Sequence, residues 1–126
     1  MHELAICQAL LAEVAAVAAS RRATAVTDIY VGIGPLSGVE ADLLQDAFPI
    51  AAAGTPADAA SLHLRRTAVR VRCQECGAQT EASANRLLCG ACGNWRTTVV
   101  GGDELFLERV ALNASDAVHQ GEPANV

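Results

Sequence analysis

Two Cys-x-x-Cys pairs, Cys73 with Cys76 and Cys89 with Cys92, have twelve residues between them in this chain of 126 residues, and nothing else in the sequence constrains the fold as strongly. Each pair sets two thiols on one tight turn. Gly77 and Gly93, directly after the second cysteine of each pair, can take the positive φ that such a knuckle requires. Two facing knuckles form a closed tetrahedral site. Zinc fits it best, because it accepts four thiolates and brings no redox chemistry; iron on the same ligands is the chief competitor, and paired disulfides are the lesser one. A closed site has no open coordination position, so the metal is read as structural and chemistry is sought elsewhere. The stretch from Cys73 to Trp95 is also too short to bury a core without a cross-link.

The rest of the chain reads as one small globular domain. Leu4, Cys7, Leu11, Val14 and Ala18 recur at helical spacing from His2 to about Ser20, and alanine favours helix throughout. Cys7 falls on that apolar face and is read as core. Val26 to Ile33 is a strand with Ile29, Val31 and Ile33 on one side. Ser37-Gly38-Val39-Glu40 has the form of a capping box opening a second helix, whose apolar face holds Leu43, Leu44, Ala47 and Phe48. Pro49 should kink or loosen this helix before Gly54-Thr55-Pro56 ends it. Leu62 to Arg72 reads as one long strand whose inward parity changes, implying a bulge between Arg65 and Ala68. Glu104 to Leu112 returns as a strand, so the cysteine unit is an insertion between strands.

Composition narrows the function classes. The chain has 26 alanines, nine arginines, no lysine, 14 carboxylates and a net charge of -5. Between Ser61 and Val100, Arg65, Arg66, Arg70, Arg72, Arg86 and Arg96 face only Glu75 and Glu81, a local +4. Four thiolates on divalent zinc would reduce this to about +2, weak for a phosphate-binding surface. Trp95 alone makes no stacking platform. A zinc-ribbon nucleic-acid module is therefore the alternative reading. Leu4 to Ala19 is interrupted by Gln8 and Glu13 and falls short of the roughly 20 residues of a span, so no transmembrane helix is expected. Glu3 ahead of the apolar run, with Arg21 and Arg22 after it, is the wrong charge order for a secretory signal, and a cytoplasmic location is expected.

Met1-His2-Glu3 is the second unusual feature. With histidine at position 2, its imidazole, the Met1 amine and the intervening backbone nitrogens can converge on one cation through small chelate rings, a set suited to Ni(II) or Cu(II). Taken alone, such a histidine is weak evidence and is more often an ordinary surface residue. His63 reads as facing outward from a strand and His119 lies in the tail, neither with partners at metal spacing.

Met-His-Glu-Leu at the start, the Ala-rich helix, Val31-Gly32-Ile33-Gly34 leading into Leu36-Ser37-Gly38-Val39-Glu40, and the two cysteine pairs ahead of a Glu-Leu strand together resemble the HypA/HybF family of hydrogenase nickel-incorporation proteins. The likeness runs from Met1 to Leu112. It implies a non-enzymatic nickel metallochaperone that works with the accessory GTPase HypB to load the large subunit of [NiFe] hydrogenase, with urease maturation proteins as further partners. No nucleic acid or membrane partner is implied. By position, His2 becomes the essential nickel ligand, joined by the Met1 amine and the backbone of His2 and Glu3. Cys73, Cys76, Cys89 and Cys92 hold structural zinc, and Glu40 matches an acidic position near the nickel. Gly90 departs from the proline of many relatives, and no histidine flanks either cysteine pair.

The expected architecture is α/β: two helices on a three-stranded sheet form a nickel-binding domain over residues 1–68 and 101–113. A four-cysteine zinc ribbon occupies residues 69–100, and a mobile tail occupies 114–126.

Overall fold

The structure, a computed structural model, describes residues 2–114. Met1 and residues 115–126 lie outside them, so the expectation of a mobile tail falls there, apart from Ala114 at the end of the last strand. The chain forms two compact units.

The first unit comprises residues up to Val31, Glu40–Leu64, and the described chain from Leu107 on. Helix α1 (His2–Ser20) buries Glu3, Cys7, Leu10, Leu11, Val14 and Ala18. Leu4 is only half-buried, and Leu10 completes the stripe instead. The Arg21 amide closes the helix on the Val17 and Ala18 carbonyls. By length and composition alone α1 is long and apolar enough to cross a membrane, which corrects the argument from length made above; its apolar stripe is nonetheless buried in the protein core.

Helix α2 (Ala41–Ala52) packs on α1 and buries Leu44, Phe48 and Ala52. The expected capping box does not form. Glu40 is the N-cap residue and makes no side-chain cap; its carbonyl accepts the Leu44 amide at 3.0 Å. The Ser37 hydroxyl instead accepts the Val39 amide within its own turn, at 3.3 Å. Gly38, inside that turn, has φ +79°. The helix continues through Pro49 for three residues. Leu43, expected on the buried face, is 48% exposed, because Leu44, Phe48 and Ala52 define a stripe one residue further round.

Strand β1 (Ala23–Ile33) buries Ile29, Val31 and Ile33 as expected. The anticipated long strand is two strands in different sheets. β2 (Ser61–Arg66) pairs with β1, whereas β3 (Val69–Cys73) belongs to the second sheet. The parity change between Leu62 and Val69 thus records a break at Thr67–Ala68 and a change of sheet, not a bulge in one strand. With β6 (Leu105–Ala114) the first sheet has the order β2-β1-β6. Two helices and this three-stranded sheet are the α/β architecture expected.

The second unit comprises Gly32–Val39 and Arg65–Phe106. Its sheet has the order β4-β3-β5, with β4 at Gln79–Ala82 and β5 at Thr97–Gly101. All pairing is antiparallel: Arg70 stands opposite Glu81, Val71 opposite Val99 and Cys73 opposite Thr97. The Thr67 amide donates to Ile33 O at 3.0 Å, the Gly34 amide to Glu104 O at 2.9 Å, and the Leu36 amide to Gly102 O at 2.8 Å. These bonds tie Gly32–Val39 to the base of the ribbon.

Candidate metal centres

The two knuckles are near copies of each other. In the first, Cys73 N donates to Ala78 O at 2.9 Å and Gly77 N to Cys73 O at 3.0 Å. In the second, Cys89 N donates to Asn94 O and Gly93 N to Cys89 O, both at 2.9 Å. Gly77 and Gly93 have φ of +79° and +78°, the left-handed conformation that glycine adopts without a Cβ penalty. Strand β3 delivers Cys73, and the Thr97 hydroxyl fastens the incoming second knuckle by donating to Leu87 O at 2.7 Å.

The four sulfurs converge. Cys73 Sγ lies 3.6 Å from Cys92 Sγ, Cys76 Sγ lies 3.6 Å from Cys89 Sγ, and all four are within 4.8 Å of one another. A tetrahedral zinc about 2.3 Å from each sulfur sets them about 3.8 Å apart, so the donors fit such an ion in kind and in spacing. All four are free cysteines.

Within each knuckle the sulfurs differ. Cys73 and Cys89 are buried, Cys76 and Cys92 exposed. Cys73 Sγ accepts the amides of Glu75 at 3.3 Å and Cys76 at 3.4 Å, and Cys89 Sγ those of Ala91 and Cys92 at the same distances. N–H donors favour the thiolate. The Cys76 and Glu75 amides accordingly lower Cys73, and the Cys92 and Ala91 amides bring Cys89 down to about 6. The Asn94 amide pulls Cys92 down, but the hydrogens it shares with Cys73 and Cys89, together with burial, push it up to about 12. Cys76 is likewise raised against the pull of the Ala78 amide, by its contact with Cys89 and by burial. The first cysteine of each knuckle is therefore the better anion, and a cation must draw protons from the second. Gly90 also finds a reason: its amide donates to Thr80 Oγ1 at 2.8 Å, a bond proline cannot make, and a Cβ there would come within 3.2 Å of Thr80 Cβ.

His2 is the first described residue of α1, with 61% of its side chain exposed. Its Nε2 lies 3.6 Å from Glu3 Oε2. Backbone amides in the first turn of a helix have no intrahelical acceptor, which leaves the His2 and Glu3 nitrogens outside the helix ladder; Met1 lies outside the described residues. The charge and the backbone of Glu3 enter the expectations above but its burial does not, and the side chain is 9% exposed. The signal was its place four residues before Cys7, on the buried stripe. Glu40 is exposed. Cys7 is core, its thiol donating to Leu44 O at 3.6 Å, and burial, then the charge of Glu3, raises it.

His63 faces outward from β2 as expected, but the row it joins across the first sheet was not anticipated. Its Nε2 is 2.8 Å from Asp28 Oδ1, its ring stacks on Tyr30 at 4.6 Å, and the Arg109 guanidinium sits 4.1 Å over the other ring. Among the described residues the four cysteines are the one cluster of three or more metal-ligating side chains.

A family described as "Hydrogenase/urease nickel incorporation, metallochaperone, hypA" matches residues 1–112. The hydrogenase maturation factor HypA of Nitrosospira multiformis is 44% identical over 112 residues, covering 89% of this chain and 97% of the relative. That of Aquifex aeolicus is 37% identical over the same shares. Among solved structures, the Ni metallochaperone HypA from Helicobacter pylori is similar in fold, with a TM-score of 0.70 at 21% identity, covering 90% of this chain and 98% of that one.

Proposed function

The chain belongs to the HypA family of hydrogenase and urease nickel-incorporation metallochaperones, and from that premise we propose that it binds Ni(II) at its N-terminus and delivers it, with the accessory GTPase HypB, to the large subunit of [NiFe] hydrogenase. As a carrier it holds and releases a metal ion and catalyses no reaction. The observation that carries the reading is the exposed imidazole of His2 at the head of α1, among first-turn amides outside the helix ladder. His2, the Met1 amine and the backbone of His2 and Glu3 hold the nickel, while the Glu3 carboxylate beside the imidazole steadies the ring.

Cys73, Cys76, Cys89 and Cys92 hold zinc, which supplies the cross-link that a ribbon of this size lacks. The ribbon's arginines do little for the alternative of a nucleic-acid module. Arg70 donates to Gln79 O at 3.3 Å, and Arg96 lies 3.5 Å from Glu75 and 5.3 Å over the Trp95 ring.

Calorimetric titration tests the nickel site. One nickel per chain is expected. His2→Ala and a one-residue Gly extension at the N-terminus should each lose most of the affinity at pH 7 while zinc content stays constant. Unchanged nickel affinity in both would remove the N-terminal site, and in the extension alone would remove the terminal chelate.

A further inference from the structure

Helix α2 carries two apolar stripes. Leu44, Phe48 and Ala52 are buried, whereas Leu43 and Ile50, seven residues apart and so on one helix face, are 48% and 70% exposed. With Ala47 and Asp46 between them, and with Leu4 and Glu3 of α1, they line a groove of about 250 Å³. This groove reaches the nickel residues: Glu3 is in its wall, and the Glu3 carboxylate lies 3.6 Å from the His2 ring. Its charge is one-sided. Neither α1 nor α2 contains an arginine or a lysine, while together they carry Glu3, Glu13, Asp42 and Asp46, with Glu40 at the α2 N-cap.

Exposed aliphatic side chains converging on a concave surface rimmed by one sign of charge are the complement of an amphipathic helix bearing the other sign. We infer that the Leu4, Leu43, Ala47 and Ile50 face is the docking surface for the protein that exchanges nickel with His2, and that the docking element is an amphipathic helix with leucine-like side chains flanked by lysine or arginine. This rests on the proposed function, since it assigns a partner to the nickel site described there. Ile50 and Leu43 enter the partner's apolar stripe, Asp46 and Asp42 pair with its basic flanks, and the docked helix end lies beside His2. The acidic rim speeds encounter, and the apolar stripe holds the complex.

The test is calorimetric binding of the full chain to the purified accessory GTPase, with nickel titrated in parallel. Leu43→Glu and Ile50→Glu should each weaken binding tenfold or more. Asp46→Lys should weaken it and reduce its salt dependence. All three should keep nickel at His2, and Trp95→Ala, equally exposed but on the ribbon, should bind as wild type. The inference is overturned if the α2 variants bind like wild type, or if Trp95→Ala is the one that loses binding. Retained affinity in Asp46→Lys at every salt concentration would overturn the basic character of the partner. A wild-type chain that takes up no nickel, or does not bind the GTPase, overturns the proposed function itself, a result distinct from variants that match a binding wild type.

Discussion

Gly34 lies against Gly102 so closely that a Cβ on Gly34 would clash with the Gly102 carbonyl group. Leu36 N donates to that same carbonyl, so neither segment can retreat without losing a bond. Gly102 is itself pressed from the other side: at φ +95°, its own Cβ would stand 2.7 Å from Val69 Cα. Gly34→Ala should therefore cost about 2 kcal/mol or more, at the upper end of overpacking effects because the obstacle is backbone. Urea unfolding would check this, and a variant as stable as wild type would show that the two segments yield freely.

Replacing Cys73 or Cys92 with Ser should release zinc and unfold the segment from Cys73 to Trp95, since its halves meet through the four sulfurs and the Gly90–Thr80 hydrogen bond. The α1–α2 core should persist, because Leu11, Val14, Leu44 and Phe48 are buried in the other unit. Limited proteolysis with zinc analysis is the measurement. A zinc-free ribbon still resistant to protease would contradict it.

The Thr67 hydroxyl is a buried polar oxygen with no hydrogen-bond partner. Thr67→Val keeps the shape and removes the unsatisfied group, so stability should rise by about 0.5–1 kcal/mol. A loss of stability would mean that the hydroxyl has a partner, such as a bound water.

The Asp28 carboxyl is held below its ordinary value of 3.8 chiefly by its hydrogen bond to His63. A depressed carboxylate contributes stability that is complete above the unfolded pKa and is lost as pH falls through the folded one. His63→Ala should return the Asp28 titration, followed by carbon NMR, toward 3.8. The variant should be less stable than wild type at pH 7, with the gap closing below pH 3.8. A constant gap across that range would assign the loss to the ring stack on Tyr30.

What the sequence revealed followed from periodicity and spacing. The α1 stripe, the inward side chains of β1 and the convergence of four cysteines each rest on a repeat that one chain segment displays by itself. The failures came where two conformations share a pattern. Ser37 to Glu40 satisfies a capping box, yet the Ser37 hydroxyl takes the Val39 amide two positions on, within its own turn, instead of the amide three positions on that a capping box uses. Leu43 and Leu44 are indistinguishable by composition, and only the packing of α2 decides which is buried. The His63, Tyr30 and Arg109 row joins three strands that are distant in sequence, so no local signal announces it. Among the residues proposed to hold nickel, the burial of Glu3 was legible from its place four residues before Cys7 on the α1 stripe.

The second unit takes its residues from two stretches, Gly32–Val39 and Arg65–Phe106, so the polypeptide passes between units after Val31, Val39, Leu64 and Phe106. A ribbon inserted as a plain cassette would need two junctions. Here, exchanging Arg65–Phe106 alone would put a foreign partner against the Ile33 carbonyl and the amides of Gly34 and Leu36. Recombination that preserves the fold must therefore use matched breakpoints at both stretches, and the eight residues from Gly32 to Val39 should be inherited together with the cysteine arm they bond.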